Sequence, residues 1–136
     1  MLEKEMQTQI INHLQSEVDP AFIILFGSYA KGTNRQESDI DLAYYSERQL
    51  SSYERFILSA DLAELTGKEV DLIDIKQIDT VFTMQIFSQG IPILIQNQSE
   101  YTRQKMRAYS MYATLSEQRA DIIKDIKERG SVFGYE

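Results

Sequence analysis

The chain has 136 residues, 43% of them hydrophobic, and 21 acidic residues against 14 Lys and Arg give it a net charge of −7. That size predicts one domain over residues 1–136, with a real core and no second lobe. The absence of cysteine excludes disulfides, thiolate zinc sites and cysteine nucleophiles, and fits a reducing cytoplasm. The acidity comes without a Lys/Arg block, so an extended nucleic-acid surface, which carries a basic stripe, is not expected. No apolar run approaches the roughly eighteen residues of a membrane span, and the charged, amphipathic start Met1-Leu2-Glu3-Lys4-Glu5 does not read as a signal peptide.

In chain order, Met6, Ile10, Ile11, Leu14 and Val18 recur at a helical period and predict a helix over residues 3–18. Asp19-Pro20 ends it, since proline pushes the residue before it out of the helical region. Residues 21–26 form a short continuous apolar run, the mark of a buried strand. Gly27-Ser28 turns the chain, residues 29–32 make one helical turn, and residues 33–38 are polar loop. Residues 39–45 read as a second strand, with Ile40 and Leu42 facing opposite to Asp39 and Asp41. Ser52 is the expected N-cap of a helix carrying Phe56, Ile57, Ala60, Ala63 and Leu65, which Gly67 stops. A third strand spans 69–75, and a helix over about 79–88 ends at Gly90. The fourth strand spans 91–96, where Pro92 suits an edge position. Ser99 starts a long helix to about Arg129, and residues 130–136, with Phe133 and Tyr135, form a flexible or partner-binding tail. This order predicts an α+β fold: a small mixed sheet with helices packed on one face and a long C-terminal helix.

The chemistry concentrates in Gly27-Ser28 and, ten residues later, Asp39-Ile40-Asp41. Two carboxylates at i and i+2 of a strand point the same way and repel unless a cation sits between them. Their hard oxygens suit Mg²⁺, which takes a few carboxylates plus substrate phosphates. Gly27 allows close backbone approach, and Ser28 and the N–H groups of its turn are aimed at an anion. Lys31, one helical turn on, is a candidate contact for a β or γ phosphate. Asp71, opposite Val70 and Leu72 in the third strand, is the candidate third acid, ligating a metal and taking the acceptor's proton. Asp74 faces the other way and reads as surface or strand end, with a swap of roles as the alternative. A P-loop does not fit, because Thr33-Asn34 stand where Lys-Ser/Thr should follow Gly32.

Gly27-Ser28, ten residues, then Asp39-Ile40-Asp41 resembles the signature of the DNA polymerase β-like nucleotidyltransferases. The compact chain resembles the minimal nucleotidyltransferases, specifically the MntA-type antitoxins paired with HEPN-domain toxins. The resemblance covers the leading helix, the Gly-Ser turn, the acid pair, the Glu69-Val70-Asp71-Leu72 strand and the long last helix. It implies a polymerase β-like fold and an antitoxin that moves AMP from ATP, with Mg²⁺, onto a tyrosine of its toxin. It places Gly27 and Ser28 in nucleotide binding and Asp39 and Asp41 on the metal, with Asp71 the looser match because that spacing varies. Drug- and RNA-modifying relatives carry a further domain or subunit for the acceptor, so this short chain is expected to act on a docking protein. Two other readings stand beside it: an antitoxin that occludes its toxin without catalysis, and an enzyme for a small molecule such as an aminoglycoside.

The remaining candidates have plainer explanations. Loop polarity accounts for Asn34 and Arg35, and Glu69 shares the face of Asp71. His13 is expected at the edge of the core. Tyr101, Tyr109 and Tyr112 recur at helical spacing and serve packing or a partner-binding face. Tyr44 and Tyr45 fit strand propensity or contact with base or acceptor.

Overall fold

The computed structural model describes residues 2–129; the tail expected at 130–136, with Phe133 and Tyr135, lies outside the described residues. The elements are α1 (Lys4–Val18), β1 (Phe22–Phe26), α2 (Gly27–Lys31), β2 (Ile40–Tyr45), α3 (Ser52–Thr66), β3 (Val70–Asp74), α4 (Thr80–Gln89), β4 (Ile91–Ile95) and α5 (Gln98–Arg129). A 3₁₀ turn at Ile75–Gln77 follows β3, so Ile75 lies outside the strand expected to hold it.

The strands form one sheet in the order β3-β2-β1-β4. β1 is antiparallel to both β2 and β4, and β2 is parallel to β3. The parallel pair needs a long connection, which α3 supplies. Pro92 sits on the edge strand β4, opposite Ile24 and beside a break in register, where a proline is tolerated.

The sheet is mixed, as expected, but its helices cover both faces rather than one. Ile23 and Leu25 of β1, with Ile40, Leu42 and Tyr44 of β2, pack with Ile10 and Leu14 of α1 and Leu58 and Leu62 of α3. Phe22, Ile24 and Ala43 face the other way, against Ile86 and Phe87 of α4 and Tyr101 and Ala108 of α5. The cause is legible in β1: five successive apolar side chains, Phe22 to Phe26, have no polar face to leave in water, so both sides must be covered. Phe22 anchors the second layer, with its ring stacked on Tyr45 at 5.4 Å and edge-on to Tyr101 at 5.1 Å.

Short polar signals set the helix ends. α1 stops at Asp19, held at φ 43° and ψ 63° before Pro20. The N-cap of α3 is Ser51, not Ser52. Ser51 Oγ accepts from the Glu54 N–H, and Glu54 Oε1 accepts from the Ser51 N–H. Counting from Ser52 would put Arg55 at the third position, and arginine cannot close that box. Likewise Asn97 caps α5 by accepting from the Glu100 N–H at 3.0 Å, which starts the helix ahead of Ser99. Among the described residues no helix is long and apolar enough to cross a membrane.

Candidate active site

β1 carries the chain to Gly27 at the end of a central strand, and the antiparallel register sets Phe26 opposite Asp41 of β2. Gly27 has φ +71°, and a Cβ there would overlap Asp41 Oδ2. The glycine is thus required twice, for its backbone conformation and because a carboxylate lies directly against it. α2 starts on Gly27 itself, so the amides of its first turn have no acceptor within the helix. Ser28 is half-buried in that turn, and Lys31 ends it, exposed to solvent.

The loop between turn and acids is internally tied. The Thr33 N–H reaches back to Ser28 O at 3.0 Å. Ser38 Oγ accepts from the Arg35 N–H at 2.7 Å, while the Ser38 N–H donates to Arg35 O. Lys68 Nζ donates to Gln36 O at 2.6 Å, fastening the loop to the turn after α3. These bonds hold the approach to Asp39, which lies exposed just before β2.

The parallel register aligns Asp41 with Asp71, and aligned residues on neighbouring strands project to the same side about 4.8 Å apart. Val70 and Leu72 are buried towards α3 while Asp71 is exposed on the opposite side. The Asp41 carboxyl is held above its ordinary range, first by burial, then by the charge of Asp71, then by that of Asp39. So the three predicted acids are brought into electrostatic contact beside the Gly-Ser turn.

The donor set is carboxylate oxygen alone, which fits a hard cation such as Mg²⁺. Among the described residues no group of three or more His, Cys, Asp and Glu side chains encloses a metal position by itself. An ion here would need oxygens from a bound phosphate, as Mg²⁺ at nucleotide sites does.

Asp74 corrects an expectation. It does face away from Asp71 at the end of β3, but it is not a surface residue: it is 2% exposed. Its Oδ1 accepts from the Lys76 N–H at 2.9 Å, capping the 3₁₀ turn. Its strand neighbour is Tyr44; among the described residues Asp74 Oδ2 meets no hydrogen-bond partner, and Arg55 lies close to the Tyr44 hydroxyl. Burial and the Asp74 charge push the Tyr44 hydroxyl up to about 12, with Arg55 pulling against them. Tyr44 is therefore closed off from any base or acceptor. Tyr45 lies on the other face, stacked on Phe22 and accepting from Gln104 Nε2.

His13 sits at the core boundary with Nε2 3.7 Å from Asp61 Oδ2. Tyr101 packs in the core and Tyr109 is exposed. The sequence reading missed the contact between Gly27 and Asp41 and the Lys68 tether. A glycine at the end of a strand that pairs with an acid-bearing strand is the available signal for the first; the second has none.

The sequence matches the family described as polymerase beta, nucleotidyltransferase, over residues 8–99, from α1 to the first residues of α5 and through every site residue above. The chain belongs to this nucleotidyltransferase family. It is similar to protein adenylyltransferase MntA of Shewanella oneidensis, with 33% identity over 121 residues, covering 88% of this chain and 86% of that protein. A solved toxin–antitoxin structure with AMP-PNP superposes with a TM-score of 0.79 at 32% identity, covering 89% of this chain and 98% of that one. A tri-AMPylated Shewanella oneidensis HEPN toxin in complex with MNT antitoxin gives a TM-score of 0.75 at 28% identity, over 93% and 99% of the two chains.

Proposed function

We propose that this chain is a protein adenylyltransferase that transfers AMP from Mg-ATP to a tyrosine hydroxyl of a cognate HEPN-domain RNase toxin, and so acts as its antitoxin. The observation that carries the reading is the electrostatic contact of Asp71 and Asp39 with Asp41, which lies against Gly27. Family membership supplies the reaction class, and the likeness to MntA supplies the kind of acceptor.

Ser28 and the first amides of α2 hold the triphosphate, with Lys31 adding a cation at the end of the same turn. Asp39 and Asp41 would hold Mg²⁺, and Asp71 the acceptor-side metal position. When bound, the metal neutralises the triphosphate and polarises the attacked phosphorus. Asp71 accepts the proton of the tyrosine hydroxyl as its oxygen bonds to the α phosphorus. The bond from that phosphorus to the bridging oxygen breaks, and pyrophosphate leaves with the electron pair. Such a reaction draws on cytoplasmic ATP, and we place the protein there.

The test uses ATP labelled at either end of its phosphate chain, incubated with Mg²⁺, this chain and the cognate HEPN toxin. Label at the α phosphate should appear on the toxin, and label at the γ phosphate should not. Toxin that is neutralised without label would favour occlusion. Label passing to an aminoglycoside with no protein acceptor would favour the small-molecule enzyme.

A further inference from the structure

Among the described residues β3 is an edge of the sheet, paired with β2 on one side and with no strand on the other. Glu69 O accepts from the Ile40 N–H, and along a parallel ladder alternate residues turn their backbone groups to alternate sides. Val70 and Leu72 therefore turn theirs outward. A groove of about 500 Å³ runs beside that edge, between a stripe of α3 that includes Phe56, Ser59 and Ala60 and the strand from Glu69 to Leu72. A second hollow of about 440 Å³ shares Ala63 and Glu69 with it and continues to Asp39. Together they form a trough along the β3 edge on its α3 side, reaching Asp39 at one end, with Asp71 at the rim and its carboxylate turned to the other face of the sheet.

The lining is unequal in charge: it holds Glu37, Asp39, Glu64, Glu69 and Asp71 but, as bases, Arg55 and Lys68, which donate to Gln77 Oε1 and Gln36 O. Phe56 stands in the wall with 68% of its surface exposed. Acids on an open edge keep a second copy of the same strand away, and they attract a segment of opposite charge.

We propose that this trough is the docking site of the acceptor protein, which lays an extended, basic segment along β3 as an added strand with Phe56 against its side chains. The proposal rests on the reading of Asp71 as the acceptor-side acid. Strand pairing along β3 delivers a hydroxyl on the docked segment to that carboxylate.

The test compares Ala60→Arg with Ala60→Glu, two long side chains of opposite charge placed in the groove wall outside the acid site. Toxin affinity, ATP affinity and amide hydrogen exchange of Val70 and Leu72 are measured on each. Ala60→Arg should weaken toxin binding roughly tenfold or more, and Ala60→Glu should stay within about threefold of wild type. ATP binding should be unchanged in both, and the Val70 and Leu72 amides should gain protection when wild type binds toxin. Unchanged toxin affinity in Ala60→Arg together with unprotected β3 amides overturns the docking site, even while AMP transfer proceeds. Equal losses in the two variants overturn the basic segment. Charge-dependent binding with β3 protected, but no AMP transfer by wild type, upholds the docking site and defeats the catalytic reading.

Discussion

Asp71 and Asp74 lie three residues apart on one strand and have opposite surroundings. Asp71 is exposed on the side of the sheet shared with Asp41, and its charge helps hold the Asp41 carboxyl above its ordinary range. Asp74 points to the α3 side, is buried, and spends one oxygen on capping the turn that follows. The strand's period of two separates them: one carboxylate meets the other acids across the strands, and the other caps a turn inside the core, according to which face each takes.

The contrast can be broken by exchanging each carboxylate for its amide. Asp71→Asn should lower the single-turnover rate of AMP transfer by about a hundredfold or more, the range for losing a general base. Asp74→Asn should transfer at the wild-type rate. Similar losses in both, or a larger loss in Asp74→Asn, would reverse the assignment.

Stability should order the pair the other way. Asp74→Ala removes the cap and should cost about 1–3 kcal/mol in urea unfolding. Asp71→Ala, at an exposed position, should stay within about 0.5 kcal/mol of wild type.

At Asp41 the effect on stability has a definite sign. Its folded-state pKa is raised, so the native state holds this proton more tightly than the unfolded chain. The stability this provides is fully present below the ordinary Asp value and is lost as pH rises through the folded value. At neutral pH the ionised group therefore works against the fold. Asp41→Asn should raise Tm at pH 7 while abolishing transfer, and its advantage over wild type should shrink on acidification. Thermal scans across pH would check this, and a variant less stable than wild type at pH 7 would contradict it.

Much of this was legible in the chain because it depends on local periodicity. The alternation of Asp39-Ile40-Asp41-Leu42 and of Val70-Asp71-Leu72 assigned faces that the pairing register then matched, bringing Asp41 beside Asp71. Gly67 and Gly90 stopped their helices where expected. What was missed depends on distant partners. The apolar run of β1 marked a buried strand, yet which helices cover each face is settled by packing between elements far apart in sequence. Ser51 rather than Ser52 caps α3 because Glu54 closes the box from the helix side. Asp74 looked like a surface residue because a strand end usually is one; here the side chain lies beside Tyr44 and bonds into the turn at Lys76, 2% exposed.

Intact-mass spectrometry of the HEPN toxin, after incubation with ATP, Mg²⁺ and either wild type or Asp39→Ala/Asp41→Ala, tests the central claim most directly. Wild type should increase the toxin mass by whole AMP units, and the double variant, still folded, should leave it unchanged, a rate loss of at least about a thousandfold. An unmodified toxin with wild type, or equal modification by the double variant, would contradict the account.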